Sequence, residues 1–545
     1  MADFYEKTVY QIYPKSFMDS DGDGLGDING IIEKLDYLED LGIGYLWITP
    51  VFLSPQRDNG YDVADYCRIE PSFGTMSDLE QLISKAEEKK IGLMLDMVFN
   101  HTSTSHQWFQ KALAGDKKYQ NYYIFKEGTP DKLPTNWQSK FGGPAWEYIP
   151  SLGKWYLHLF DASQADLNWD NPDVREELKN VIRFWKRKGV KGFRFDVVNL
   201  ISKPEIFSDD EDGDGRRFYT DGPHVHEYLK ELVRDTEISD MVTVGEMSST
   251  TLEECIRYSN PSEQELSMCF QFHHLKIDYK NGDKWELMSP DYRALKELFE
   301  KWQIGMQKEQ GWNALFWCNH DQPRVVSRFG NEENYWKESA KMLAACIHLM
   351  RGTPYIYQGE ELGMTNAHYK EINQYRDVES LNYYRILLDQ GKPKVEALAI
   401  LAERSRDNSR TPMQWTAGNN AGFSDTTPWL SVTNNYNKIN AETESTEEDS
   451  IFSFYKQLVK MRKENSIISR GTISFLEMDE PAILAFCRAD GEREILVFNN
   501  FSDKNTNLTV QSEWKEYKKI LGNYKDFDMS DHLVLRPYET LILEN

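Results

Sequence analysis

Four segments of the chain each close on residues able to move protons or charge: Asp96-Met-Val-Phe-Asn100-His101, Arg194-Phe-Asp196-Val197, Gly245-Glu246-Met247 and Asn319-His320-Asp321. An isolated acid at a strand end is most often a helix cap or a loop ligand; several such ends together are hard to explain structurally. Paired carboxylates are what glycosidic cleavage requires, one protonated to discharge the leaving oxygen and one ionised to attack the anomeric carbon. Arg194 and Asp196 lie two residues apart on one strand and so share a face, where the guanidinium would keep Asp196 ionised. Glu246 has no cation beside it in sequence, and crowding by other carboxylates would keep it protonated. Asp321 would be a third carboxylate, stabilising oxocarbenium charge or gripping sugar hydroxyls. Asp96, deeper on its strand, reads as structural support.

These residues need a scaffold that brings strand ends to one face. Short apolar runs at residues 9–13, 45–49, 91–98, 192–197, 241–246, 266–272, 314–321 and 354–358 read as strands, several almost continuously apolar, as in a parallel sheet buried on both faces. Helical stretches alternate with them. Ile31, Leu35 and Leu38 form a stripe ending near Gly42; Ser77 and Glu80 read as a capping box opening a helix with Leu79, Leu82, Ile83 and Ala86. Asn171 as N-cap and Pro172 at the first helical position open another, with Leu178, Ile182 and Trp185 buried and Gly189 closing it. Eight strands alternating with helices predict an α/β fold, a (β/α)8 barrel, with active groups at the C-terminal strand ends. The barrel takes residues 1–101 and 171–470. Residues 102–170, rich in Trp, Tyr, Gly and Pro, form a small β-rich insertion. Residues 471–545 read as an antiparallel β-sandwich, with runs at 472–476, 483–487, 494–498, 533–535 and 540–543. The polar, acidic residues 434–450 read as a solvated loop.

Composition narrows the partners. The net charge of −25 argues against nucleic acid or an anionic membrane, and it means that an anionic substrate needs a local cluster of Lys or Arg. The six cysteines (Cys67, Cys255, Cys269, Cys318, Cys346, Cys487) show neither metal-ligand spacing nor a secreted disulfide framework. The amino-terminal Met-Ala-Asp-Phe-Tyr-Glu-Lys lacks the basic and apolar regions of a signal peptide, and no run reaches the roughly 18 apolar residues of a membrane span. A cytoplasmic enzyme with a small-molecule substrate, free thiols and no organic cofactor is expected; a monomer is compatible with this.

The four chemical segments, in this order, resemble the signature regions of the α-amylase superfamily (glycoside hydrolase family 13), over nearly the whole chain. The resemblance implies that Asp196, Glu246 and Asp321 are nucleophile, general acid/base and transition-state stabiliser, with α configuration retained through a covalent β-glucosyl-enzyme. Gln164-Ala-Asp166-Leu-Asn168-Trp, and Val197 after Asp196, resemble the oligo-1,6-glucosidase group. Asp58-Asn-Gly-Tyr61-Asp and Ser405-Arg406-Asp-Asn-Ser-Arg410 resemble its exo-acting pocket. By this resemblance Asp58 and Arg406 bind hydroxyls of the non-reducing-end glucose, Tyr61 stacks beneath its ring, and His101 and His320 bond hydroxyls of the same sugar. Gln164, Arg194 and Phe160 complete the sugar-side candidates, with ordinary packing the alternative for Tyr61 and Phe160.

Gly245-Glu-Met-Ser-Ser-Thr-Thr251, Asp214-Gly-Arg-Arg-Phe-Tyr-Thr-Asp-Gly222, Phe272-His-His-Leu-Lys276 and Gly311-Trp-Asn-Ala-Leu-Phe-Trp-Cys318 resemble, more narrowly, the trehalose-6-phosphate hydrolases (phospho-α-(1,1)-glucosidases). Isomaltase-like members generally carry Pro-Gly where this chain has Ser248 and Ser249, and tend towards acidic residues around Lys276. Lys276, with Lys284, would supply positive charge for a phosphorylated sugar; a solvated surface lysine is the alternative, above all for Lys284. The expected reaction is hydrolysis of α,α-trehalose 6-phosphate to glucose and glucose 6-phosphate. The alternative is an oligo-1,6-glucosidase or α-glucosidase acting on isomalto-oligosaccharides. A trehalose-forming isomerase would share the triad, but the four phosphotrehalase-like segments argue against it. A non-catalytic transporter subunit would need a membrane span and usually lacks part of the triad.

Asp19-Ser-Asp21-Gly-Asp23-Gly-Leu25-Gly-Asp27 places oxygens at alternate positions with glycine between, which suits a hard cation in a tight loop. It resembles the DxDxDGxGD calcium loop of the same glucosidase group, implying a structural Ca2+ on Asp19, Asp21, Asp23, the Leu25 carbonyl and Asp27; a metal-free acidic turn is the alternative. The irregular acidic run at 209–214 is read as a mobile loop over the barrel mouth, without metal.

Overall fold

The computed structural model describes residues 4–211, 213–476, 478, 480–526 and 532–545; the first three residues of the amino-terminal stretch and Asp212 of the acidic run lie outside them. Eight parallel strands carry the molecule: β1 (Val9–Ile12), β2 (Tyr45–Ile48), β3 (Gly92–Met97), β4 (Gly192–Phe195), β5 (Val242–Glu246), β6 (Met268–Phe270), β7 (Ala314–Leu315) and β8 (Thr353–Tyr357). They pair in the order β6-β5-β4-β3-β2-β1-β8-β7, and a parallel bridge between Cys269 and Asn313 joins the two ends into a closed ring. The strands are buried nearly throughout because helices cover their outer faces. The register sets Arg194 of β4 directly opposite Asp96 of β3 and Val244 of β5, so the cation enters the barrel beside an acid.

Helix Pro172–Arg187 follows its expected signals: Asn171 accepts from Asp173 N, Pro172 opens the helix, and Val174, Leu178, Ile182 and Trp185 face the core. The capping box differs from expectation. Thr75, in extended conformation, accepts from Asp78 N, and Asp78 returns a bond to the Thr75 backbone, so the helix starts at Met76 and Ser77 lies inside it. Strands β1 to β6 are one or two residues shorter at one or both ends than read from sequence, β8 is shifted by one residue, and β7 ends at Leu315 rather than at residue 321. Beyond it the chain stays buried but irregular: Asp321 N bonds the Asn319 side chain, a local turn that competes with the ladder.

Between β3 and β4 lie a two-stranded pair (His101–Ser103 with Gln164–Asp166), a three-stranded antiparallel sheet, and the helices Gln107–Leu113 and Lys117–Gln120. At the acidic run, Asp210 is hydrogen-bonded to this insert: Asp210 N donates to Asn136 Oδ1 at 2.8 Å, and Asn136 Nδ2 donates to Asp210 O at 2.8 Å. Residues 434–450 are not a solvated loop. They include helix Ala441–Thr446, with Asn440, Ala441 and Glu444 buried, and Glu444 accepting from Ile451 N at 2.7 Å. After helix Ser466–Arg470, a five-stranded antiparallel sheet and the pair Thr506–Thr509 with His532–Leu535 enclose a separate core that includes Phe498, Leu508 and Leu535. All six cysteines are free thiols. No helix among the described residues is long and apolar enough to cross a membrane.

Candidate active site

Arg194 is the hub of the barrel mouth. Buried to 1% exposure, it donates from Nη1 to Asp96 Oδ1 and to Asp196 Oδ1, each at 2.6 Å, and its Nη2 reaches Glu246 Oε2. Glu246 has no cation beside it in sequence, but the fold brings one from the adjacent strand. Arg194 contacts both carboxylates and does not by itself decide which one keeps a proton. Burial pushes the Asp196 carboxyl up to about 6, with Asp96 adding to the rise and Arg194 and His101 opposing it. A guanidinium that simply holds Asp196 ionised is thus an incomplete account. Asp96 supports the hub as expected, accepting from the Tyr61 hydroxyl at 2.9 Å and from Trp47 Nε1 at 3.1 Å. Directly after Asp196 the chain turns through Val197 at φ +35, a left-handed conformation that β-branched side chains resist.

Four distant segments build the inner pocket. Arg406 donates from Nη2 to Asp58 Oδ1 (3.1 Å), from Nη1 to Asp321 Oδ1 (3.2 Å) and from Nε to Asp377 Oδ1 (2.8 Å), while Arg410 Nη2 donates to Asp321 Oδ1 at 2.7 Å. Burial alone would raise Asp321, but His320, Arg406 and Arg410 hold it far below the usual carboxylate range. Asp58 is pushed up to about 7, mainly by burial, against the pull of Arg406 and Arg410. Gln164 Nε2 donates to Asp58 Oδ2 at 3.1 Å and lies 3.2 Å from His101 Nε2. Tyr61 stacks on His320, centroids 5.1 Å apart and planes 2° apart, and Phe160 packs 5.2 Å from His101. The sugar-side candidates Asp58, Tyr61, His101, Gln164, Arg194, His320 and Arg406 thus form one continuous network.

Outside it opens a cavity of about 230 Å³, with Glu246, Asp321 and Arg406 on its wall and Phe160, Val197, Lys276 and Lys284 around it. Lys284 is not a solvated charge: it is largely buried and paired with Glu379 at 2.7 Å. Lys276 is exposed, and has no carboxylate at ion-pair distance among the described residues. Partial desolvation and Arg216 push its ammonium below the usual lysine range. A larger cavity, about 860 Å³, opens at the other end of the barrel, lined by Thr243, Ser267, Trp312 and Arg351 near the strand starts and by none of the carboxylates above.

The α-amylase catalytic-domain family matches residues 11–471, and the C-terminal domain family of the α-amylase SusG matches residues 483–542. The chain belongs to the α-amylase family of glycoside hydrolases. It is 51% identical over 542 residues to the trehalose-6-phosphate hydrolase of Bacillus subtilis (strain 168), covering 98% of this chain and 96% of that one. To the oligo-1,6-glucosidase of Bacillus cereus it is 44% identical over 550 residues, covering 99% and 98%. A crystal structure of the trehalose-6-phosphate hydrolase of Bacillus licheniformis matches with a TM-score of 0.97 at 50% identity, over 100% of both chains.

Several residues of this glycoside hydrolase escaped the sequence reading. Arg410 stood in a quoted motif but had no assigned role, and Asp377 had no local signal, because its partner Arg406 is 29 residues away. Lys140, from the insert, lies on the cavity wall. In the acidic loop, Asp19, Asp21 and Asp27 bring carboxylate oxygens within 4.8 Å of one another. Asp23 lies in the same loop, its Oδ1 accepting from Leu25 N at 2.8 Å. Asp19 is held below its ordinary value: burial opposes this, but the Ser424 hydroxyl and the backbone N–H groups of Gly24, Gly22 and Asp21 bond the ionised form.

Proposed function

We propose that the protein is an exo-acting, retaining α-glucosidase that hydrolyses α,α-trehalose 6-phosphate to glucose and glucose 6-phosphate. One observation carries the substrate class. The cavity that has Glu246 and Asp321 on its wall also presents Lys276 and Lys140, neither of which has a carboxylate at ion-pair distance among the described residues. In a chain of net charge −25, such local surplus suits an anionic leaving group. The names of relatives at 50–51% identity support the same reading. The second reading, an oligo-1,6-glucosidase, draws support from the Lys284–Glu379 pair, which leaves that part of the wall neutral.

In the reaction, Asp196 attacks the anomeric carbon while Glu246 gives its proton to the glycosidic oxygen, and glucose 6-phosphate leaves. Glu246, now a base, takes a proton from water, which releases glucose from Asp196. Asp196 and Glu246 both contact the Arg194 guanidinium; retention needs the two carboxyl groups roughly 5–5.5 Å apart, inversion roughly 6.5–9.5 Å to admit water. Asp321, kept ionised by Arg406 and Arg410, faces the developing oxocarbenium charge. Asp19, Asp21, Asp23, the Leu25 carbonyl and Asp27 would hold a structural Ca2+, whose contribution is neutralisation of the converging carboxylates, three of which bring oxygens within 4.8 Å of one another. The six free thiols support a cytoplasmic setting. The test is kcat/KM on trehalose 6-phosphate, trehalose and isomaltose. The phosphorylated sugar is expected to lead by about tenfold or more for each charge-assisted hydrogen bond made to the phosphate; isomaltose preferred by a wide margin overturns the proposal.

A further inference from the structure

The segment after Glu246 is held in an unfavourable backbone shape. Ser249 stands at φ +59, where a side chain crowds its own backbone and glycine does not. The shape is imposed from both sides. Ser248 N donates to Asn199 Oδ1 at 2.9 Å, and Asn199 Nδ2 donates to Ser248 O at 2.9 Å. On the other side the Thr250 hydroxyl donates to Asp221 Oδ2 at 2.9 Å, and His273 Nε2 lies 2.8 Å from Thr250 O. A serine kept where glycine would be relaxed calls for a reason in what its hydroxyl faces. Ser249 lines the cavity beside Ser248, Lys140 and Lys276, and its hydroxyl makes no hydrogen bond among the described residues.

Lys140 arrives from the insert, more than a hundred residues earlier. Its Nζ donates to Ser248 Oγ at 3.2 Å. Burial, with Arg216 and Lys276 adding to it and Asp214 and Asp166 opposing it, pushes its ammonium down to about 7. Among the described residues this desolvated cation makes its only side-chain hydrogen bond to a hydroxyl and has no carboxylate at ion-pair distance to stabilise it.

We propose that Lys140, Ser248 and Ser249 form a seat for the phosphoryl group of the sugar phosphate and set the preference for phosphorylated over neutral glucosides. The inference rests on the substrate reading above. A phosphoryl group offers three strong acceptor oxygens and a charge near −2; Lys140 supplies the charge, the two hydroxyls supply donors, and Lys276 adds a second cation on the same cavity. The seat has one part on the barrel and one on the insert, so it exists only when the two are docked.

The experiment measures kcat/KM on trehalose 6-phosphate and on a neutral nitrophenyl α-glucoside for the wild type and for Lys140→Met, Lys140→Arg and Ser249→Gly. It also measures inhibition of the neutral reaction by inorganic phosphate. The ratio of the two constants is expected to fall about ten- to a hundredfold in Lys140→Met and about three- to tenfold in Ser249→Gly, with phosphate inhibition weakening in parallel; Lys140→Arg keeps most of the ratio. A ratio within twofold of wild type in both Lys140→Met and Ser249→Gly overturns the seat and leaves the substrate reading standing. A wild type indifferent to phosphorylation overturns the substrate reading itself. If Lys140→Met does not fold, Ser249→Gly decides, because glycine suits that turn.

Discussion

The two halves of the cleft treat charge in opposite ways. In the inner half, Asp58, Asp321 and Asp377 face Arg406 and Arg410, and each buried charge there is met by an opposite one within hydrogen-bonding distance. In the outer half Lys276 has no counter-ion among the described residues, and Lys140 bonds only a hydroxyl. A neutral glucose ring calls for donors and acceptors fixed before it arrives, which a closed ion network provides. A phosphorylated leaving group calls for surplus. Geometry is fixed inside; selectivity resides outside.

The contrast can be broken most severely at the chemistry. Asp196→Asn is expected to lower kcat by ~10⁴ or more on phosphorylated and neutral substrates alike, and to abolish covalent trapping by a mechanism-based glucosyl label; trapping at another residue would refute the assignment. The same carboxyl governs the acid limb of the wild type. Because burial raises it to about 6 and attack needs the ionised form, kcat/KM falls about tenfold per pH unit below that point and levels off above it. The halves separate next in a paired comparison. Arg406→Lys, which loses the planar fork, costs about 10²-fold or more on both substrates, whereas Lys276→Met lowers the phosphorylated-to-neutral ratio by about tenfold. Equal losses on both substrates for Lys276→Met would erase the distinction. The smallest effect belongs to the acidic loop: calcium raises Tm by about 2 °C or more, and Asp23→Ala removes that increment while altering the chemical step less. Identical melting with and without chelator removes the site.

The barrel was legible because strands buried on both faces read as apolar runs, and because Arg194 and Asp196, two residues apart, declare a shared face. Glu246 was legible as a strand-end acid, but not as a neighbour of Arg194, since strand order and register are not local properties. The capping box was misplaced for a local reason: Thr75-x-x-Asp78 and Ser77-x-x-Glu80 carry equivalent signals, and the helix phase selected the first. The seventh strand was overextended because Phe316, Trp317 and Cys318 are apolar and buried yet belong to no ladder. Asp377 and Lys140 left no trace in sequence because what defines them is a partner on another element.

The hydrogen bond from Arg406 to Asp58 joins residues 348 positions apart. A nascent chain therefore has no sugar pocket until residues near 406 have left the ribosome, even with every barrel strand already synthesised. Contacts of such separation form late, because closing a long loop comes before the bond that rewards it. Recovery of activity during refolding should then trail recovery of secondary structure.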